Sequence, residues 1–92
     1  MFHALVNANY ILSEALMNLT KAELGKEYIV RNIKTDDEEL NSFLFSLGCY
    51  SGEPITVVSC KRNLFGRIAS YVVSIKDARY TIDHQLAAAI EL

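Results

Sequence analysis

Apolar residues recur at helical spacing between residues 36 and 48, and this stretch predicts the central helix of the chain. Thr35 or Asp36 can cap the helix, since each has a glutamate three residues later. Gly48 then ends it, because glycine readily takes the left-handed conformation that follows many helices. One apolar stripe runs along the helix and consists of Leu40, Phe43, Leu44 and Leu47.

Phe45 does not belong to this stripe. At about 100° per residue it points away, towards the side that carries Glu38, Asn41 and Ser42. An apolar ring on the polar side of a short helix is either covered by another part of the chain, such as the N-terminal segment, or available to a partner. The sequence leaves both alternatives open.

Residues 1–18 predict an amphipathic helix that precedes the main domain. An isolated helix of this length is marginally stable in water, so its apolar face needs a cover. That cover is either an open end of the core or a second copy of the protein, which would make a homo-oligomer through residues 1–18. The apolar face consists of Leu5, Ala8, Leu12, Ala15, Leu16 and Leu19.

Residues 19–92 have the residue types and the alternation of short β-strands. Strands this short and closely spaced, with few helices, are typical of a small barrel, which also removes exposed sheet edges. The fold is therefore expected to be mainly β, a small barrel with one short helix inserted after its first strand, behind the N-terminal helical extension. The predicted strands are Glu27–Lys34, Ile55–Lys61, Ile68–Ile75, Arg79–Ile82 and Ala89–Leu92.

Local signals predict the turns between these elements. The stretch Thr20–Glu23 is a second capping box and predicts a single helical turn, which a glycine ends. The pair Asp77-Ala78 predicts a tight reversal that joins two strands as a hairpin. Asp83 is expected to cap a further short turn, which continues through Leu86.

The chain has 92 residues and a net charge of −2, so we expect one domain with a small core. The acidic balance argues against a nucleic-acid partner, since binders of DNA and RNA present a basic face. No apolar run approaches the ~20 residues that cross a bilayer. No Lys or Arg precedes Lys21, so we expect neither direct membrane insertion nor a secretory signal. Two cysteines outside any CxxC pair, Cys49 and Cys60, indicate a reduced, cytoplasmic chain.

The residues that could support catalysis or metal binding are few. His3 and His84 could act as a base for a cysteine, but no motif joins them, so no enzyme is expected. For a metal there are only weak candidates, His84, Asp83 and His3, and their spacing is not that of a metal site. No GxxxxGK[ST] or GxGxxG motif is present, so no cofactor and no nucleotide are expected.

Aromatic side chains are the remaining candidates for function. We expect Phe45, from its helical phase, to bind a partner, and Tyr50 and Phe65 to do so because they lie in predicted turns. The alternative for Tyr50 and Phe65 is that each plugs an end of the barrel.

A series of positions in residues 19–92 resembles one family. It runs through Leu19, Leu24-Gly25, Val30, Ile33, Leu44-x-x-Leu47-Gly48, Gly52 before Ile55, and Ala89-Ile90-Glu91-Leu92. In this order it resembles the FeoA family, the small cytosolic accessory proteins of ferrous iron uptake. The resemblance implies an SH3-like barrel and a soluble partner of the FeoB transporter, a membrane protein with a cytosolic GTP-binding domain. The barrel also resembles the C-terminal module of iron-dependent repressors, so the alternative is a regulatory module that binds metal or a peptide.

The sequence departs from the family pattern at several surface positions. Tyr50-Ser51 stands where the family usually has Thr-Pro, and Asn41, Ser42 and Phe43 stand where its helix usually carries arginines. Near Asp77-Ala78, a glycine that is often found in the last hairpin is replaced. These departures lie on the surface that a partner would contact.

Overall fold

The structure is a computed structural model and describes residues 17–92. The predicted helix at residues 1–18 therefore falls almost wholly outside the described residues. Its last residue, Asn18, is extended and forms a β-bridge with Glu91. The elements in chain order are a 3₁₀ turn at Leu19–Lys21, β1 at Glu27–Ile29, β2 at Asn32–Ile33, α1 at Glu38–Ser46, β3 at Pro54–Arg62, β4 at Ile68–Ile75, β5 at Ala78–Asp83, α2 at His84–Ala89 and β6 at Ile90–Glu91.

The strands form two antiparallel sheets. The larger has the order β1-β3-β4-β5, and the smaller pairs β2 with β6. The register between β3 and β4 shifts between Val57 and Ser59 and again between Lys61 and Arg62. Such bulges bend and twist a strand pair, so the long strands can curl round the core. The expectation of a mainly β, barrel-like fold is confirmed.

The predicted strand Glu27–Lys34 is two strands in the structure. Val30 and Arg31 separate them. The backbone of Val30 is hydrogen-bonded to the turn before β3: its N–H donates to the carbonyl of Glu53 and its carbonyl accepts from the N–H of Gly52, at 2.8 Å each. β1 can therefore pair with β3 while β2 pairs with β6. The β-forming residues are continuous through this corner, so residue type gave no sign that the hydrogen-bonding partner changes there.

The core lies between the sheets and the two helices. Leu44 comes from α1, and β4 contributes alternate positions, as its pattern predicts. Each fully buried Leu, Ile or Val contributes roughly 1.5–3 kcal/mol through the area removed from water. The buried cluster consists of Leu19, Val30, Leu44, Cys49, Ile55, Val57, Tyr71, Val73, Ile75, Ile82, Ala87 and Ile90.

Helix α1 begins later than the capping box predicts. Asp37 is the N-cap, since its carboxylate accepts from the backbone N–H groups of Glu39 at 3.0 Å and Leu40 at 3.3 Å. Thr35 instead accepts from the N–H of Asp37 at 3.1 Å, so the predicted cap at Thr35 or Asp36 is wrong. Three short polar residues in a row can each satisfy the first turn, and the geometry of the preceding strand decides among them.

The ends of the other helical segments lie at the predicted positions or within a few residues of them. Asn18 caps the 3₁₀ turn by accepting from the N–H of Thr20 at 2.9 Å, so the turn begins one residue before the predicted box at Thr20–Glu23 and overlaps it. Asp83 caps α2 as predicted, accepting from the N–H of Leu86 at 2.8 Å. Helix α2 extends to Ala89, so the last strand begins one residue later than predicted. No helix within residues 17–92 is both long and apolar enough to cross a membrane.

Candidate partner-binding surface

Phe45 lies in the last turn of α1 and is 64 % exposed. That turn is closed by two backbone bonds of 2.9 Å, from Gly48 to Phe45 and from Cys49 to Leu44, which together form a Schellman motif. Leu44 and Cys49 are both buried, so they anchor the turn to the core. The predicted outward direction of Phe45 is confirmed. The alternative, cover by the N-terminal segment, concerns residues outside the described part of the chain.

Phe43 is less buried than its place in the predicted stripe implies. It is 48 % exposed, whereas Leu44 is 1 % exposed. Leu44 is at the centre of the buried face, and residues 43 and 45 lie about 100° to either side of it. Phe43 therefore flanks the core, and it provides a natural control for Phe45 on the same helix.

Tyr50 stacks beside Phe45. The centroids of the two rings are 4.9 Å apart and their planes are inclined by 31°. Aromatic pairs at such distances contribute about 0.5–1.5 kcal/mol beyond the burial of area. Tyr50 is half-buried, so the two rings form a partly exposed aromatic pair instead of a plug inside the barrel.

Lys76 contacts the ring of Tyr50 at its hydroxyl end. Its Nζ donates to the hydroxyl of Tyr50 at 2.9 Å and lies 3.8 Å from a carboxylate oxygen of Glu53. The hydrogen bond to Tyr50 raises the pKa of Lys76 above its ordinary value, and the Glu53 carboxylate adds to this effect. A permanent positive charge therefore lies at the rim of the two rings. We call Phe45, Tyr50, Lys76 and Glu53 the Phe45 surface.

A two-residue turn between β4 and β5 places Lys76. Lys76 and Asp77 have φ values of +49° and +67°, as the turns preferred by short hairpins require. The hairpin is confirmed, but its turn lies one residue before the predicted Asp77-Ala78 pair. The absence of a side chain at Gly48 allows Lys76 to pack against the end of α1, because a Cβ at Gly48 would be only 3.2 Å from Cδ of Lys76. Lys76 was missed from the sequence, since nothing in the pattern links it to Tyr50.

Phe65 is not part of the Phe45 surface. It lies in the β3–β4 loop and is 87 % exposed, so the alternative in which it plugs the barrel is wrong. The loop precedes β4, whereas Lys76 follows it. The eight residues of β4 separate the two places by about 26 Å at the usual rise of a strand.

The candidate metal ligands are not brought together among the described residues. Asp83 uses its carboxylate to cap α2, and Nδ1 of His84 lies 3.3 Å from the hydroxyl of Tyr71. Within residues 17–92, no three His, Cys, Asp or Glu groups lie close enough to hold a metal ion. His3 lies outside the described residues.

The two cysteines are free and differ in burial. Cys49 is 1 % exposed, and burial raises its pKa to about 11. Since the thiolate is the reactive form, Cys49 is a poor nucleophile at neutral pH. Cys60 lies in β3 and packs against the core, as expected of a free cysteine in a strand.

Comparison with known proteins places this fold. A family model, the FeoA domain, matches residues 17–92. The chain belongs to the FeoA family. The family and its fold are linked to ferrous iron transport, and it is a family of small accessory domains, not a known enzyme family. No protein among curated ones matches the chain.

Solved structures of this family share the fold. FeoA from Stenotrophomonas maltophilia, solved with zinc and described as a prokaryotic SH3 domain protein, is 18 % identical with a TM-score of 0.66, over 80 % of this chain and 86 % of that one. An iron uptake regulatory protein, also a FeoA, is 23 % identical with a TM-score of 0.66, over 80 % and 89 %. These matches confirm the SH3-like barrel.

A larger protein contains a similar barrel. A manganese-dependent transcriptional repressor is 20 % identical with a TM-score of 0.65, over 83 % of this chain but 41 % of the repressor. At this identity the likeness concerns the fold alone. The resemblance noted in the sequence was to the C-terminal module of iron-dependent repressors, whereas the matched structure is a manganese-dependent repressor that shares the fold.

Proposed function

We propose that this chain is a non-enzymatic, cytoplasmic accessory protein of ferrous iron uptake, and that it binds the cytosolic part of a FeoB-type transporter. Membership of the FeoA family supports the pathway. The S. maltophilia FeoA, which shares the fold, is described as a candidate ferrous iron transport activating factor. The observation that carries the binding is the exposed aromatic pair of Phe45 and Tyr50, held at its edge by Lys76.

The Phe45 surface has the properties of a binding anchor. Aromatic residues dominate the energetics of protein interfaces, especially when they fill a pocket on the partner. The ring of Phe45 rests against Tyr50, and Tyr50 is bonded to Lys76, so little side-chain freedom remains to be lost on binding. We therefore expect the partner to offer an apolar pocket with a carboxylate near its rim, within reach of Lys76.

Replacement of Phe45 by alanine tests the anchor. We expect Phe45→Ala to weaken binding to the cytosolic region of the transporter by at least about tenfold, since truncation of a central anchor costs about 2 kcal/mol or more. The free energy of unfolding should fall by less than about 1.5 kcal/mol, because the side chain is mostly exposed and loses mainly its ring contact. Isothermal titration calorimetry measures the first and urea unfolding the second.

Phe43→Ala is the matched control. It removes the same side chain from the same helix, on the other side of Leu44, and should leave the affinity almost unchanged. Equal losses of affinity in the two variants would contradict a specific role for Phe45. A loss of several kcal/mol in stability for Phe45→Ala would mean that the ring belongs to the core.

The second candidate function is a regulatory module that binds metal or a peptide. The likeness to the manganese-dependent repressor favours it, although this chain corresponds to only 41 % of that protein. A pull-down against the transporter's cytosolic region, combined with a calorimetric Fe²⁺ titration of the chain alone, separates the two candidates. Capture without metal heat supports the accessory function, and metal heat without capture supports the regulatory module.

A further inference from the structure

A basic basin lies at the start of β4, at the end of the barrel away from the Phe45 surface. It is open, with a volume of about 510 Å³, and none of the side chains that line it is a carboxylate. The nearest acid along the chain, Asp83, is bonded to the backbone of α2. Since the whole chain has a net charge of −2, the positive charge is concentrated locally. The polar lining residues are Thr20, Lys21, Arg62, Arg67, Tyr71 and His84.

The β3–β4 loop that borders this basin has a defined shape. Asn63 accepts from the backbone N–H groups of Phe65 at 2.9 Å and Arg67 at 3.1 Å. Its own N–H donates to the carbonyl of Arg67 at 2.8 Å. Arg62 donates from Nη1 to the carbonyl of Gly66 at 2.7 Å. The tip of the loop is therefore held in position by its own hydrogen bonds.

Two large apolar side chains project from this tip. Leu64 is 100 % exposed and Phe65 is 87 % exposed. Adjacent apolar side chains with this exposure, on a loop of defined shape, indicate an interaction site. Arg62 and Arg67 stand on either side of them in the chain, and the stretch 61–67 has three basic residues and no acidic one.

We propose that this end of the barrel docks on the surface of a bilayer that contains anionic phospholipids. Leu64 and Phe65 enter the interface between headgroups and acyl chains. Lys21, Arg62 and Arg67 contact the phosphate groups of the headgroups, which lie at the level of the basin when the tip is inserted. Interfacial docking combines buried apolar side chains with attraction of basic residues to anionic lipids, and it needs no spanning segment.

The convex shape of the tip favours a bilayer over a protein partner. A protein would have to offer a pocket that matches two projecting side chains, whereas the bilayer interface accepts them in any lateral position. The cations beside the tip, Arg62 and Arg67 in the chain and Lys21 in the basin, match the anionic lipid surface in sign. This proposal is independent of transporter binding, because it uses none of the residues of the Phe45 surface.

Vesicle binding by the full chain tests the proposal directly. The chain has no tryptophan, so Phe65→Trp introduces a single fluorescent reporter at the tip. Its emission should shift to the blue with vesicles of phosphatidylcholine that contain about a third phosphatidylserine, and much less with phosphatidylcholine alone. Salt at about 0.5 M should weaken the binding, since it screens charges at the exposed surface.

Sedimentation with the same vesicles tests the individual side chains. The double variant Leu64→Ser, Phe65→Ser and the single variant Arg67→Gln should each lower the bound fraction several-fold. The controls Phe43→Ser and Arg79→Gln remove an exposed phenylalanine and an exposed cation elsewhere and should bind like the unmodified chain.

Three results would overturn the proposal. The first is the absence of binding to the anionic vesicles. The second is binding that the double variant at the tip retains, which would assign it to another part of the chain, such as residues 1–18. The third is displacement from vesicles by millimolar inorganic phosphate at constant ionic strength, which would identify the basin as a site for free phosphate.

Discussion

At the scale of single residues, burial and hydrogen bonding decide which side chains can react or bind. Leu44 and Cys49 fix the end of α1 in the core, and Phe45 is thereby held outward against Tyr50. Burial of Cys49 in the core also makes it unreactive, since it raises the pKa of the thiol to about 11. The same turn thus provides both the anchor and an inert thiol beneath it.

Thiol labelling tests the burial of Cys49. At pH 8 the folded chain should react quickly at one thiol, Cys60, while Cys49 stays protected until the chain unfolds. Ellman's reagent measures this with and without denaturant, and mass spectrometry identifies the site. Rapid labelling of Cys49 in the folded chain would contradict the packing of the helix end.

The raised pKa of Cys49 also makes the free energy of unfolding depend on pH in the alkaline range. A thiol in the unfolded chain has a pKa of about 9.0, whereas burial raises the pKa of the Cys49 thiol in the folded chain to about 11. The folded state therefore binds more protons in this window, so its stability should fall as the pH rises from about 9 to about 11. Urea unfolding at several pH values, compared with Cys49→Ala, measures this contribution.

Residue phase along a helix could be predicted, but contacts between distant parts of the chain could not. The 100° step was enough to place Phe45 outside. The same rule overestimated the burial of Phe43, because it does not say how wide the covered stripe is. Lys76 is 26 positions from Tyr50, so only the folded chain shows their hydrogen bond.

At the scale of elements, alternation identified the strands, and turn chemistry identified their ends less accurately. β4 has the predicted bounds and the predicted buried face. The sequence predicted one strand through Val30 where the structure has two, because β-forming residues continue through a corner at which only the hydrogen-bonding partner changes. The turn of the last hairpin lies one position before the predicted one, since Asp77 favours a turn but Lys76, the other turn residue, does not.

The hairpin turn offers a stability test. Asp77 has a φ of +67°, which costs an L-residue free energy that glycine does not pay. Asp77→Gly should therefore raise the free energy of unfolding by up to about 1 kcal/mol, after the greater freedom of glycine in the unfolded chain is subtracted. Ala78→Gly, one residue later within β5, is the control and should lower it. Destabilisation by both variants would contradict the turn geometry.

At the scale of the whole molecule, β4 separates two exposed surfaces with different chemistry. The aromatic pair and Lys76 lie beyond its end, and the basic basin with its apolar tip lies beyond its start. The sequence pointed to a small barrel and, through the family resemblance, to its SH3-like form. It could not show that Phe65 lies far from Phe45 and Tyr50, because that distance follows from the pairing of the strands.

The division of the chain into an extension at residues 1–18 and a barrel at residues 19–92 remains a proposal, and truncation tests it. Met17 accepts a backbone bond of 3.0 Å from Leu92, and Asn18 bridges Glu91, so these two residues are attached to β6. A variant lacking residues 1–16 should keep a cooperative thermal transition. A variant lacking residues 1–18 should be less stable by about 1 kcal/mol, since it loses the cap of the 3₁₀ turn.

Light scattering of the first truncated variant separates the two alternatives for the extension. A mass that falls by half relative to the full chain would identify a homo-oligomer through residues 1–18. An unchanged monomer mass would mean that the extension covers its own barrel. Loss of the cooperative transition would contradict the division itself.

The most direct test of the account is a map of the contact surface by nuclear magnetic resonance, with the isotope-labelled chain titrated with the cytosolic region of a FeoB-type transporter. The account predicts that the backbone signals of Phe45, Tyr50 and Lys76 shift or broaden first, while those of the β3–β4 loop stay unchanged. An unperturbed spectrum, or changes confined to the loop or to the edge of β1, would contradict it.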